Sequence, residues 1–372
     1  MSSTSRAPFR ADHVGSLLRP RSLLELRERV KAGKVHHDAL RAHEDECIRE
    51  VVNMQEALGL ESITDGEFRR ETFHGDFLSK LENVEFKQLF EPGGDGSGRH
   101  EAPFVAIVTG TLRRPPGGIE IEHFRFLRSL TKRTAQQTIP SPTMTHFRGG
   151  REAIDKRAYP EMEEFFADLA RVYREEVADL AQAGCRYLQL DDTNLAYLCD
   201  EKMRAQARER GEDVEALPED YARLINESIR GRPSDMAVCV HLCRGNAKSR
   251  WFAEGGYEPV AEIIFNEMDV DGFLLEYDDE RSGDFAPLRF VPKDKRVVLG
   301  LVSTKRSELE DKDEIKRRID EASKYVPLEQ LCLSPQCGFA SVSEGNRISE
   351  DAEKRKLGLV VEVASEVWGG TS

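Results

Sequence analysis

Short apolar runs recur along this chain, and most of them end on an acidic residue, a histidine or a cysteine. Between them lie longer stretches in which apolar residues return every three or four positions, the period of an amphipathic helix. From Arg21 to Leu58 the pattern is helical, with Cys47, Ile48, Val51, Val52, Met54 and Leu58 on one face and Gly59 as the stop. SITDGEF then reads as a first strand. FVAIVTG reads as a second and TIPSP as a third, with the helix EHFRFLRSLT between them. The helix PEMEEFFADLARVYREEVADLAQAG leads to a fourth strand, CRYLQLDDTNL. Helices over 217–230 and 257–267 precede the strands that contain His241 and Glu276. RVVLGLVSTK is the seventh strand, a helix over Lys312 to Tyr325 leads to the eighth, QLCLSPQCG, and a helix over 349–368 closes the chain.

Strands rich in Val, Leu and Ile that alternate with helices predict a closed parallel barrel, a (β/α)8 TIM barrel. Residues 1–60 form an N-terminal arm and helical extension packing on it, and residues 61–372 form the barrel. An open doubly wound sheet is the alternative, but no G-x-G-x-x-G follows the first strand. The glycine-rich EPGGDGSG within residues 83–103 is read as a surface excursion, with a lid or docking loop as its functional reading. It is not a phosphate loop, because no Lys-Ser/Thr follows and no helix opens from it.

The stretch Met236 to Asn246, MAVCVHLCRGN, changes the picture from fold to chemistry. Side chains alternate along a strand, so His241 and Cys243 project from one face toward a common point. Glu276 ends a second apolar run and Cys337 lies just past a third. One nitrogen, two sulfurs and a carboxylate complete a tetrahedral zinc site, with the carboxylate as the most replaceable ligand. In a barrel the C-terminal strand ends share one rim, so Glu67, Asp191, His241, Cys243, Glu276, Lys305 and Cys337 are expected to face one pocket.

Composition narrows the partners. The 372 residues are 39% hydrophobic and carry a formal net charge of −14, which argues against nucleic acid or an anionic membrane. No run is long enough to span a bilayer, the N-terminus lacks a signal-peptide core, and seven scattered cysteines do not make a disulfide framework. A cytoplasmic protein is expected.

The motifs HVGS (13–16), DGEFRR (65–70), QLDDTNLAYLCD (189–200), HLCRGN (241–246), LLEYD (274–278) and LSPQCGF (333–339) together resemble the catalytic barrel of cobalamin-independent methionine synthase, and more closely its short single-barrel relatives. The resemblance implies zinc on His241, Cys243, Glu276 and Cys337. It matches Ser16, Glu67 and Asp191 to contacts with the amino-acid part of homocysteine, and makes Lys305 and Asp191 the candidate catalytic residues. The implied reaction is methyl transfer to a thiol. The alternatives are zinc-dependent alkyl transfer to another small thiol, as in epoxide-opening relatives, and a metal-free decarboxylase-like lyase. Two positions depart from the family. Its folate-stacking tryptophan on the third strand is replaced by Thr138-Ile139-Pro140-Ser141-Pro142, and its catalytic histidine by Lys305. With the family's N-terminal half also absent from the sequence, the expected donor is a methylated corrinoid on a partner protein or a small activated alkyl compound. A homodimer is expected.

Overall fold

The computed structural model describes residues 6–88, 104–247 and 249–372. The expected excursion at 83–103 falls outside the described residues from 89 onward. In chain order the strands are β1 (Ser62–Ile63), β2 (Glu82–Gln88), β3 (Phe104–Arg113), β4 (Thr134–Pro140), β5 (Tyr187–Asp192), β6 (Ala237–Leu242), β7 (Asn246–Ala247), β8 (Arg250–Trp251), β9 (Gly272–Glu276), β10 (Arg296–Val302) and β11 (Leu331–Pro335).

Seven of these make one curled parallel sheet in the order β1-β4-β5-β6-β9-β10-β11. Every residue of β5, β6, β9 and β11 is buried, as expected for strands covered on both faces. The covering helices show why they form. In Met162–Gln182 the buried Phe165, Leu169, Val172, Tyr173, Val177 and Leu180 fall at helical spacing, Glu163 and Glu164 sit in the first turn, and the helix packs on Leu217–Ile229. Gly184, at φ 96°, turns the chain toward β5.

One strand assignment is corrected. FVAIVTG lies in β3, which pairs antiparallel with β2 in a hairpin outside the parallel sheet. Its burial is that of a hairpin with exposed positions interspersed, whereas the parallel strands are buried almost throughout. Apolar content alone could not separate the two cases.

The place next to β1 and β11 belongs instead to residues 10–17. Ala11 bridges Leu333 of β11 in parallel, with Asp12 N donating to Leu333 O at 2.9 Å and Leu333 N to Arg10 O at 2.9 Å. On the other side Ser62 Oγ donates to Asp12 Oδ1 at 2.7 Å, Thr64 Oγ1 to Gly15 O at 2.7 Å and Leu17 N to Gly66 O at 3.1 Å.

The side-chain period of two then sorts the sheet's interior. Tyr187, Ala237, Cys239, Leu274, Val298 and Cys332 join Ala7, Phe9 and Val14 in a small apolar cluster toward the strand starts. The same faces, followed toward the strand ends, present Asp191 on β5, His241 on β6 and Glu276 on β9. The interior is therefore sealed at one end and chemically equipped at the other.

Candidate active site

Three strand ends meet at the sulfurs. Cys243 follows β6 directly, and its backbone N–H donates to Asp192 O at 2.8 Å, which fixes the turn that aims its thiol inward. Cys337 follows β11, and its Sγ lies 3.3 Å from Cys243 Sγ. The ligand atoms of His241, Cys243 and Cys337 all lie within 4.8 Å of one another, and all three residues are buried. Neither ring nitrogen of His241 has a hydrogen-bond partner among the described residues. A buried imidazole with two idle nitrogens beside a thiol pair is costly unless something binds there. The donor set, one borderline nitrogen and two soft sulfurs, fits zinc.

The electrostatics agree with a site prepared for a cation. The Cys243 thiol, helped by His241, pulls Cys337 well below the ordinary thiol range against the opposing effect of burial, and Cys243 is raised in return. Burial works against the His241 imidazolium, yet the Cys337 sulfur with Asp191 and Glu276 pushes it up to about 9. A thiolate beside an imidazolium is the arrangement a dication would replace by displacing the proton.

Glu276 stands at the edge of this set. Its Oε1 lies 3.8 Å from Cys243 Sγ and 3.4 Å from Gln336 Nε2. Its Oε2 accepts from Arg244 N at 2.9 Å and from Arg281 Nη2 at 3.4 Å. Gly300 permits this crowding, since a Cβ there would lie 2.6 Å from Gln336 Cα and 2.7 Å from Leu275 O. Arg244 is fully buried, donates to Gly255 O and Tyr257 Oη, and lies over the Tyr257 ring at 4.1 Å.

A second, oxygen-lined part of the site adjoins the sulfurs. Ser16 packs so closely on the residue after Cys337 that a Cβ on Gly338 would lie 1.9 Å from its Oγ, and Phe339 N donates to Ser16 O at 2.9 Å. Glu67 is buried and holds a left-handed φ of 60°, a conformation that persists only where its surroundings enforce it. Its Oε1 accepts from Thr138 Oγ1 at 2.7 Å and pairs with Arg70 at 3.3 Å, while Oε2 has no partner among the described residues. Asp191 is buried with Gln189 Nε2 donating to it at 2.7 Å. Burial, with Glu67 nearby, pushes Asp191 up to about 8.

Lys305 is placed differently from the others. Its ammonium pairs with Asp278 at 2.8 Å and Asp279 at 3.3 Å, two aspartates on the loop after β9. Sequence reasoning gave no site role to Arg281, Arg244, Gln336, Arg70 or Thr138, although all but Arg281 lie within stretches it singled out. Gln336 directly precedes Cys337 and Arg244 directly follows Cys243, so proximity to a ligand was the available signal. Arg281 gave none.

A cluster of imidazole, thiols and carboxylates at the carboxyl ends of a parallel sheet places the chain among α/β enzymes whose chemistry sits at the strand ends. The chain belongs to the family described as cobalamin-independent synthase, catalytic domain, whose model matches residues 9–366, and thus to the methyltransferases that resemble cobalamin-independent methionine synthase. It is 45% identical over 371 residues to the uncharacterized protein YxjH of Bacillus subtilis strain 168, covering 98% of this chain and 96% of the relative. A crystal structure of a candidate vitamin-B12-independent methionine synthase from Listeria monocytogenes matches with TM-score 0.78 and 40% identity, over 98% of this chain and 99% of that one. The fold is shared with a B12-independent methionine synthase from Shewanella sp. W3-18-1, solved in complex with selenomethionine, at TM-score 0.71 and 19% identity over 96% of this chain and 97% of that one. Among the described residues no helix is long and apolar enough to cross a membrane.

Proposed function

We propose that the protein is a zinc-dependent methyltransferase that moves a methyl group onto a small thiol, with homocysteine as acceptor and methionine as product. The observation that supports this reading best is the buried trio of His241, Cys243 and Cys337, with Glu276 beside it. These four residues would hold the zinc. When bound, zinc stabilises a coordinated thiolate at neutral pH, and two protein thiolates keep that sulfur nucleophilic. The chain's own residues supply the rest. Glu67 and Asp191 receive the substrate ammonium, and the partnerless Oε2 of Glu67 is the acceptor available for it. Ser16, against the Cys337 loop, contacts the amino-acid end. Lys305 acts on catalysis by position, fixing through Asp278 and Asp279 the loop that carries Arg281. Holding thiol and donor at near-attack distance lowers the barrier without a covalent enzyme intermediate.

The reading extends to architecture and setting. Residues 10–17 would complete the curled sheet as the eighth strand of a (β/α)8 barrel, with the helical remainder of residues 1–60 packed on it. Seven free, buried cysteines suit a reducing cytoplasm. The donor is taken to be a methylated corrinoid on a partner protein or a small activated alkyl compound, because Ser141 and Pro142, which follow the strand ending in Pro140, offer no aromatic platform for a pterin. The test is turnover of homocysteine by zinc-loaded protein against a panel of donors that includes methylfolates and methylcobalamin. Methionine formed with at least one donor and abolished in Cys337→Ser is the expected result. No thiol consumption with any donor, by a protein that holds zinc, counts against it.

A further inference from the structure

The four groups around the Glu276 carboxylate divide unequally between its two oxygens. Oε2 is engaged by Arg244 N at 2.9 Å and the Arg281 guanidinium at 3.4 Å. Oε1 faces the thiols, with Gln336 Nε2 at 3.4 Å and Cys243 Sγ at 3.8 Å. The carboxylate is fully buried, as is the Arg281 side chain at 3% exposure. Glu276 lies outside the compact set formed by the other three ligand residues. The polypeptide has thus supplied a complete set of donors for Glu276 that needs no metal.

We propose that Arg281 and Gln336 form a cradle that holds Glu276 back from the metal, so that the fourth ligand position is weakly held and open to the substrate thiol. The proposal rests on the zinc reading above. A guanidinium and a dication compete for the same buried carboxylate, since each is the counter-ion that offsets its desolvation. The stronger the hold of Arg281 on Oε2, the weaker Glu276 is as a ligand and the lower the barrier to its replacement. Gln336 does the same at Oε1 without charge, and its place one residue before Cys337 ties cradle and ligand to one strand end. Arg244 is not the adjustable member. Its guanidinium is committed to Gly255 O, Tyr257 Oη and the backbone O of Glu276, and Nη1 stays 3.9 Å from the carboxylate Oε2. Arg281 is therefore a positioning residue that acts through Glu276, set on a loop whose aspartates are in turn held by Lys305.

The prediction runs opposite to that for an ordinary supporting residue. Loss of a group that merely buttresses a ligand weakens metal binding by about 10- to 100-fold. Loss of the cradle frees Glu276 to ligate, so Arg281→Met should bind zinc more tightly, by on the order of tenfold in chelator competition. In cobalt-substituted protein, the homocysteine concentration that half-converts the ligand-field spectrum should rise by a similar factor. Gln336→Leu should shift both readings in the same direction by less, and Arg281→Lys should restore most of the wild-type behaviour. The double variant Arg281→Met/Glu276→Gln should lose the tightening. Unchanged or weakened zinc affinity in both Arg281→Met and Gln336→Leu overturns the cradle while leaving the zinc reading standing. Absence of stoichiometric zinc from the unmodified protein overturns both.

Discussion

The sulfurs of Cys243 and Cys337 stand 3.3 Å apart although 94 positions separate the two residues in the chain. No bond joins them, and both are free thiols. Two strands carry them there: β6 delivers Cys243 and β11 delivers Cys337, with β9 and β10 between these strands in the sheet. The close approach pulls Cys337 below the ordinary thiol range and raises Cys243. Metal analysis of purified protein should give about one zinc per chain, the complement of a single site of this kind. Cys243→Ser and Cys337→Ser should each lose most of it, with a lower thermal midpoint because metal binding adds to folding stability. Full zinc retention in both variants would sink the site.

Glu67 and Asp191 contribute no ligand to the sulfur cluster, yet both are buried within reach of each other's charge. If they receive an ammonium, Glu67→Gln and Asp191→Asn should each raise KM for homocysteine by about tenfold or more, the worth of one charged hydrogen bond. Zinc content should stay at the wild-type level. The decisive control is a thiol of similar size without an amino group, whose KM should barely change. Equal losses for both thiols would show that the carboxylates only shape the pocket.

Glu353 lies far along the chain in the last helix, Glu350–Trp368, and its carboxyl accepts from Leu18 N at 2.8 Å. Burial pushes it from 4.5 up to about 8. The folded state therefore holds this proton more tightly than the unfolded chain does. Its stabilisation is fully present below about pH 4.5 and is lost as pH rises through about 8. Glu353→Gln retains an oxygen acceptor for Leu18 N but cannot ionise. Between pH 5 and pH 9 the variant should lose less stability than wild type, by a few kcal/mol in denaturant unfolding. Parallel pH profiles for the two proteins would contradict this account.

What the sequence disclosed follows from which interactions are periodic. His241 and Cys243 share a strand face, so the period of two predicted their convergence, and Glu276 follows from the same rule on the adjacent strand, whereas Cys337 lies beyond the end of β11 and is brought in by the turn that follows it. FVAIVTG was misplaced because an apolar run records burial and not its partner strand, and the antiparallel pairing of β3 with β2 is nonlocal. The role of residues 10–17 between β1 and β11 was hidden for a different reason. Ala11 makes a single bridge in a segment with no apolar periodicity, held by the side chains of Asp12, Ser62 and Thr64. Arg281 was illegible because its contact with Glu276 depends on how one loop folds back, which no local pattern encodes.

The surroundings of Lys305 decide what it can do. Its ammonium bridges Asp278, whose side chain is 1% exposed, and Asp279, whose side chain is 35% exposed. Burial raises Asp278 and Lys305 lowers it, so the lysine is what makes an ionised Asp278 tolerable at that depth. Removing one partner of a buried pair costs about 3–5 kcal/mol, whereas removing both charges is often close to neutral. Lys305→Met alone should therefore destabilise the fold by about that amount in denaturant unfolding, and Lys305→Met/Asp278→Asn should recover most of it. If Lys305 acts by holding the loop, the double variant should also regain much of the kcat lost in the single one, since the loop and Arg281 are returned to place. A proton-donating lysine predicts the other outcome. Stability would return in the double variant while kcat stayed low, and the pH profile of kcat would lose its alkaline limb in both.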